Sequence, residues 1–216
     1  MPLKTTDLRI LAGKFKGQRL RSPQNQLTHP MGSREKLALF NMIQPYLAGA
    51  IALDAYAGSG ALGIEALSRG AREVVFVEKM PQIARIIQQN LQQITVKGHL
   101  EAISAVLPPK RPNTADYSEA PQNAKKADFS RIFTKCLSDF AENPAFRGYF
   151  SLILADPPYD GFDVVEVAKM AKLLQKDGIL ALSFPFKAGT PEIPGLTLQK
   201  SRKYAAAGIA IYQKNS

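Results

Sequence analysis

The spacing of apolar positions changes period along this chain, and those changes predict its elements. From residue 50 onward, short apolar runs take turns with amphipathic ones. The run AIALDAY is followed by a glycine-rich turn, then ALGIEALSRG, then EVVFVEK, then a helical pattern from about Pro81 to Ile94. Apolar runs of strand length separated by runs of helical period predict βαβα units and therefore a parallel sheet. A strand near LEAISAVL follows, then SLILADPPYD, a helix over about Val164 to Leu174, the strand GILALSFP, and two closing strands within LTLQKSRKYAAAGIAIYQK. The closing pair predicts an antiparallel last edge on a mostly parallel α/β sheet.

Ahead of this body, LRILAGKFKGQRLR over residues 8 to 21 interleaves apolar and basic residues and places Gly13 and Gly17 where bends are needed, which predicts a short basic β-hairpin. Ser33 is placed to cap a helix over about residues 34 to 47, with Leu37, Leu39, Phe40, Ile43 and Leu47 on its apolar side. The expected organisation is an N-terminal arm of hairpin and helix over residues 1 to 48 and an α/β domain over 49 to 216. The stretch from Pro108 to Tyr149 breaks the rhythm. Its first part, about residues 108 to 127, is polar and proline-rich and reads as an insertion; ADFSRIFTKCLSDFAE then reads as a helix.

A chain of 216 residues with 45% apolar residues can bury one core of ordinary size. No uninterrupted apolar run reaches the length of about 18 residues that suggests a membrane span, and no apolar block at the start suggests a signal peptide, so the protein is expected to be soluble and cytoplasmic. The single cysteine, Cys136, is read as a packing residue, and no metal is expected because no Cys and His cluster is evident. The formal charge of +10 favours a polyanionic partner. Residues 1 to 36 hold eight basic residues against Asp7 and Glu35, so more than half of that excess lies at one end. This shifts the reading from a merely solvated surface towards nucleic acid. A monomer is the default expectation.

The strongest local pattern is LDAYAGSGALGIEALSRG, in which Asp54 ends a strand and Gly58, Ser59 and Gly60 form a turn into a helix. Glycines let a backbone approach a ligand closely, and a helix start offers free N–H groups. Gly58, Gly60 and Gly63 also satisfy GxGxxG, so a dinucleotide-binding domain competes here. Glu78 ends the next strand, where an acidic side chain can bind ribose hydroxyls; such a ribose occurs both in nicotinamide dinucleotides and in S-adenosylmethionine.

Asp156-Pro157-Pro158-Tyr159 separates these two cofactors. It follows the apolar strand SLILA, at the end where open α/β sheets keep their ligands. Two prolines fix the turn, so the Asp156 carboxylate and the Pro157 carbonyl become preorganised acceptors. An exocyclic aromatic amine supplies two donors to match them. Its lone pair is delocalised into the ring, and drawing both hydrogens towards fixed acceptors favours a pyramidal nitrogen that can attack a methyl group. Tyr159 can stack on the base, a contact worth about 1–3 kcal/mol in single-strand binders.

At these residues the sequence resembles the class I methyltransferases, which have a Rossmann-like sheet, and within them the bacterial small-subunit (16S) rRNA guanine-N2 methyltransferases of the RsmD type. RILAGKFKG resembles that family's basic hairpin, LALFNMI its following helix, LDAYAGSGALGIEALSRGA its cofactor loop and DPPYDGF its catalytic turn. The resemblance implies that Asp54, Tyr56, Gly58, Ser59, Gly60, Glu78 and Lys79 bind S-adenosylmethionine, and that Asp156, Pro157, Pro158 and Tyr159 hold the guanine amine beside the methyl donor. It implies that Arg9, Lys14, Lys16, Arg19, Arg21 and Arg34 contact rRNA, naked or within a ribosomal particle. Two departures stand out. In THPMGSREKLALFN an arginine and a threonine are expected near His29 and Met31 and a glutamate near Leu37, although Arg34, Phe40 and Asn41 match. The acidic residue expected to contact the adenine edge is missing from ISAVLPP; Asp128 is the candidate replacement, and an aspartate capping a helix is an equally good account of it.

An adenine-amine DNA methyltransferase is the chemical rival, because the same turn can serve adenine. An NAD-dependent oxidoreductase fits the glycine turn and Glu78 but leaves Asp156 to Tyr159 unexplained. A non-enzymatic RNA-binding protein fits the basic segment but has no use for Asp156.

Overall fold

In a computed structural model, residues 8–23, 31–96, 129–204 and 206–215 are described. Helix α1 (Ser33–Ile43) passes through a 3-10 turn (Gln44–Tyr46) into β1 (Ile51–Asp54). Then come α2 (Ala61–Ser68), β2 (Glu73–Val77), α3 (Pro81–Val96), β3 (Phe129–Phe133), α4 (Leu137–Ala141), β4 (Phe150–Ala155), α5 (Val164–Ala168), β5 (Leu174–Pro185), β6 (Leu196–Tyr204) and β7 (Ala207–Lys214). The strands form one sheet in the order β3-β2-β1-β4-β5-β7-β6. The first five run parallel, and β7 is antiparallel to both β5 and β6. The mixed sheet with an antiparallel edge expected from the closing strands is therefore present.

The central strands are mostly apolar because both faces are covered, as parallel strands require. Ala52, Phe76, Leu154, Ala181 and Ile209 face one layer with Phe40 of α1, Ile64 of α2 and Leu91 of α3. Leu53, Val75, Ile153, Leu182 and Ala210 face the other, with Leu137 and Phe140 of α4 and Val167 of α5.

Four expectations change. The helix expected over residues 127 to 142 is instead β3, paired in register with β2 from Glu73–Phe129 to Val77–Phe133, followed by the short α4. Apolar residues at positions 129, 132, 133, 136, 137 and 140 fit helical spacing, but an open sheet edge and the Arg131–Glu73 ion pair outweigh it. The hairpin over residues 8 to 21 reduces to one antiparallel bridge, Arg9 to Arg19, around a turn closed by Gly17 N–H to the Ile10 carbonyl at 2.9 Å. Nor is this segment a projecting arm, since Leu8, Ile10, Phe15 and Leu20 are buried in the α1 layer. Ser33 is the first residue of α1 rather than its cap; Gly32 holds the capping position without a side-chain bond. The expected strand near LEAISAVL and the insertion at 108 to 127 lie outside the described residues.

What fastens the N-terminal segment is a buried polar network on α2. Glu65 is fully buried; its Oε2 accepts from Leu11 N–H at 2.7 Å, and its Oε1 from Ala12 N–H at 3.0 Å and Arg69 Nε at 2.8 Å. Lys36 Nζ lies 3.5 Å from Oε2 and donates to the Arg9 carbonyl at 2.7 Å. Ser68 Oγ accepts from Phe15 N–H at 2.9 Å. A carboxylate this deep is tolerable only because two cations and two amides meet it.

Candidate active site

In the strand order, β1 and β4 are neighbours from which the chain winds in opposite directions, which is where doubly wound sheets leave a crevice at the carboxyl ends. Three carboxylates gather there: Asp54 is the last residue of β1, Glu78 follows β2 and Asp156 follows β4. Asp54 is buried. Its Oδ2 accepts the Gly63 N–H at 2.8 Å, while Oδ1 is enclosed with no partner among the described residues. Burial pushes this carboxyl up to about 7, against the Gly63 N–H and with help from the negative charges of Asp156 and Glu78. Glu78 Oε2 accepts from Gly58 N–H and Oε1 from Met80 N–H, each at 2.9 Å, so this carboxylate shapes the turn while each oxygen keeps a further lone pair.

Gly58 and Gly60 have φ of +53° and +80°, a region unfavourable for side chains. A Cβ on Gly58 would meet only the Tyr56 carbonyl, at 4.0 Å, so that face of the backbone is open to a ligand. Gly63 serves another end: a Cβ there would collide with the Phe76 ring, so this glycine lets α2 lie close on β2. Ser59 is buried, and its carbonyl accepts from Asn90 Nδ2 at 2.9 Å. Tyr56 donates its hydroxyl to Glu166 Oε2 of α5 at 3.1 Å, and burial raises the phenol well above its ordinary value. Lys79 is exposed beside Glu78.

At the end of β4, Pro157 is buried while Pro158 and Tyr159 are exposed. Burial pushes the Asp156 carboxyl up to about 6, opposed by a hydrogen bond with Ser183. Tyr159 Oη and Ser183 Oγ are 2.7 Å apart. With the Ser183 hydroxyl given to Asp156, Tyr159 donates to Ser183, and the order is Tyr159 to Ser183 to Asp156. Ser183, 1% exposed in β5, had no place in the sequence reading. A lone hydroxyl in the apolar strand GILALSFP was the available signal.

Of the six basic residues named for nucleic acid, Arg9, Lys14, Lys16, Arg19 and Arg21 are exposed around the N-terminal turn and Arg34 is exposed on α1. Asn90, which sequence reasoning missed, is fully buried and links that turn to the glycine loop. Its Oδ1 accepts Arg21 N–H at 2.7 Å, and its Nδ2 donates to the Arg21 carbonyl at 3.0 Å as well as to Ser59. Asp128 and His29 lie outside the described residues. Among the described residues, no cluster of His, Cys, Asp and Glu could hold a metal ion. No helix among them is long and apolar enough to cross a membrane.

A glycine turn at the first strand, carboxylates after the first and second strands, and an antiparallel β7 beside β5 make this the Rossmann-like fold of methyltransferases. The solved structure of the candidate methyltransferase yhhF of Escherichia coli superposes with a TM-score of 0.71 at 21% identity, covering 96% of this chain and 98% of that one. Trm1 from Pyrococcus horikoshii, in complex with S-adenosyl-L-methionine, gives 0.64 at 13% identity, covering 92% of this chain and 59% of that one. Ribosomal RNA small subunit methyltransferase D of Haemophilus influenzae is 36% identical over 162 residues, 75% of this chain and 68% of that protein. Residues 8–134 match the family described as conserved hypothetical protein 95, and the chain belongs to this family, that of ribosomal RNA small subunit methyltransferase D.

Proposed function

We propose that this protein transfers a methyl group from S-adenosylmethionine to the exocyclic N2 of a guanine in small-subunit rRNA. The observation that carries this reading is the group of three carboxylates at the strand ends, none of which forms an ion pair among the described residues. Asp54 and Asp156 are held above the ordinary carboxylate range, a state that a positively charged ligand relieves. S-adenosylmethionine brings an ammonium and a sulfonium, and ribose hydroxyls that can donate to a carboxylate. NAD brings a pyrophosphate, which three carboxylates would repel.

The geometry supports a role for each residue. Glu78, fixed by two N–H bonds, is placed to accept ribose hydroxyls, with Asp54 and the open backbone at Gly58 beside it. Bound there, S-adenosylmethionine supplies an electrophilic methyl group with a neutral thioether as leaving group. The Asp156 carboxylate, one oxygen engaged by Ser183, keeps the other to accept an N–H of the guanine amine, and the Pro157 carbonyl can accept the second. Holding both hydrogens in the turn directs the nitrogen lone pair along the line of attack, where positioning supplies much of the rate. Tyr159, anchored through Ser183, gives the base an aromatic face. After transfer the nitrogen is cationic, and its proton passes to Asp156 or to water. Asp128 is our candidate for the adenine edge.

The test is methyl transfer from labelled S-adenosylmethionine to small-subunit rRNA and to its protein-bound particles, with nucleoside analysis of the product. N2-methylguanine is the expected product. Methylated adenine would overturn the base assignment, and cofactor binding without transfer to any rRNA form would overturn the substrate.

A further inference from the structure

We infer that the cleft between α1 and the edge strand β6 is a track for the RNA strand, carrying it to Asp156 across the face of the sheet that α1 covers. This rests on the rRNA methyltransferase reading and names a binding surface outside the N-terminal turn.

The cleft has a volume of about 380 Å³ and is lined by Arg34, Leu37 and Asn41 of α1 and by Lys200, Arg202 and Tyr204 of β6. Arg34, Lys200 and Arg202 are exposed, and none makes an ion pair among the described residues. That differs from Lys36, Arg69, Arg131 and Lys172, each paired with a glutamate. Cations left open in a groove with an aromatic ring at one end suit a phosphate backbone with a base to stack, and they suit little else so well.

Register shows where the track leads. Ser183 pairs with Ile209, and Ile209 pairs with Arg202. Arg202 therefore stands level with the serine that holds Asp156, two strand spacings away, or about 10 Å. Cross-strand partners share a face, and Ile209 and Ile211 face the α1 layer. Arg202, paired with Ile209, and Lys200, paired with Ile211, are on that face too, as are Ser183 and the Tyr159 hydroxyl it meets. Strand β6 is parallel to β5, since both are antiparallel to β7. The row Lys200, Arg202, Tyr204 thus climbs towards the carboxyl edge, where the DPPY turn lies. Glu35, close enough to act on the Tyr159 phenol electrostatically, stands near the exit and disfavours a phosphate at the base itself, leaving that place to a neutral ring.

The test compares Lys200→Ala/Arg202→Ala with Arg147→Ala/Lys176→Ala, a control that removes the same charge from exposed residues near the amino ends of β4 and β5, away from the DPPY turn. Binding of a short fluorescein-labelled single-stranded RNA is followed by anisotropy against salt, without methyl donor. The track variant should bind about tenfold more weakly and flatten the log–log salt slope by about 1.4, because each single-strand phosphate contact contributes about 0.7. In methyl transfer its KM for rRNA should rise with kcat within about twofold, and its affinity for S-adenosylmethionine should be unchanged. Equal salt slopes in the track variant and wild type, or equal losses in track and control variants, would overturn the proposal. Because the anisotropy arm needs no catalysis, a wild type that binds RNA through Lys200 and Arg202 but transfers no methyl group would sustain the track and sink the enzymatic reading alone.

Discussion

The molecule handles two pairs of carboxylates in two ways. Glu65 on α2 and Glu73 at the amino end of β2 are each given cations: Lys36 and Arg69 for the first, Arg131 with the Tyr149 hydroxyl for the second. Asp54 and Asp156, at the carboxyl end of the same sheet, are given only a backbone or a hydroxyl donor, and Asp54 also feels the negative charges of Asp156 and Glu78. The first pair closes structure; the second is electrostatically incomplete until something positive arrives. The contrast teaches that burial of an acid says little about its role until its counter-charge is located.

Three experiments test that contrast. The largest effect belongs to Glu65→Ala, which strands Lys36 and Arg69 against protein and leaves two N–H groups without acceptors. Urea unfolding should show a loss of about 3–5 kcal/mol; a loss near zero would mean that the network is ornamental. Next is Asp156→Ala, which should leave stability and RNA affinity nearly unchanged while lowering kcat about 10²–10³-fold, the usual cost of removing one preorganised polar group from a reacting centre. Parallel falls in folding stability and activity would place Asp156 with Glu65 instead.

The smallest effect is in pH. For an acid whose pKa is raised by folding, the stability it contributes is fully present below the unfolded value near 4 and is lost as pH climbs through the folded value, about 6 for Asp156 and about 7 for Asp54. The apo protein should therefore lose stability between about pH 4 and pH 7. Over the upper part of that window its affinity for S-adenosylmethionine should rise, since ionised carboxylates await the cation. Asp54→Asn should flatten both curves, and calorimetry of binding across the window reads the second. An affinity that falls as pH rises would remove the cation argument.

Much of the sheet was legible because its central strands are apolar on both faces, and the site turns were legible because glycine and proline leave few alternatives. LDAYAGSG and DPPY carry their backbone demands in their letters. The network around Glu65 was not legible, since an acid inside ALGIEALS reads as a solvated helix position until the N-terminal turn folds over it. Asn90 and Ser183 were missed likewise: a buried amide or hydroxyl has no period of its own, and its partners lie 69 residues away at Arg21 and 24 residues away at Tyr159. SRIF was misread because a five-residue strand and the first turn of a helix present the same few apolar letters, and only the waiting edge of β2 decides between them.

Asn90 also ties the glycine turn to the basic turn, so that neither can shift alone. A single amide holds the Ser59 carbonyl inside the glycine turn and both backbone groups of Arg21 at the end of the basic turn. A ligand that shifts the Ser59 carbonyl must carry Arg21 with it or break the bond between them. Any free energy passed along that link is reciprocal: whatever factor cofactor occupancy contributes to the grip on RNA, RNA returns to the grip on cofactor. The order in which the two partners bind is then a matter of rates and concentrations, while the affinity of the ternary complex is fixed by one shared coupling constant.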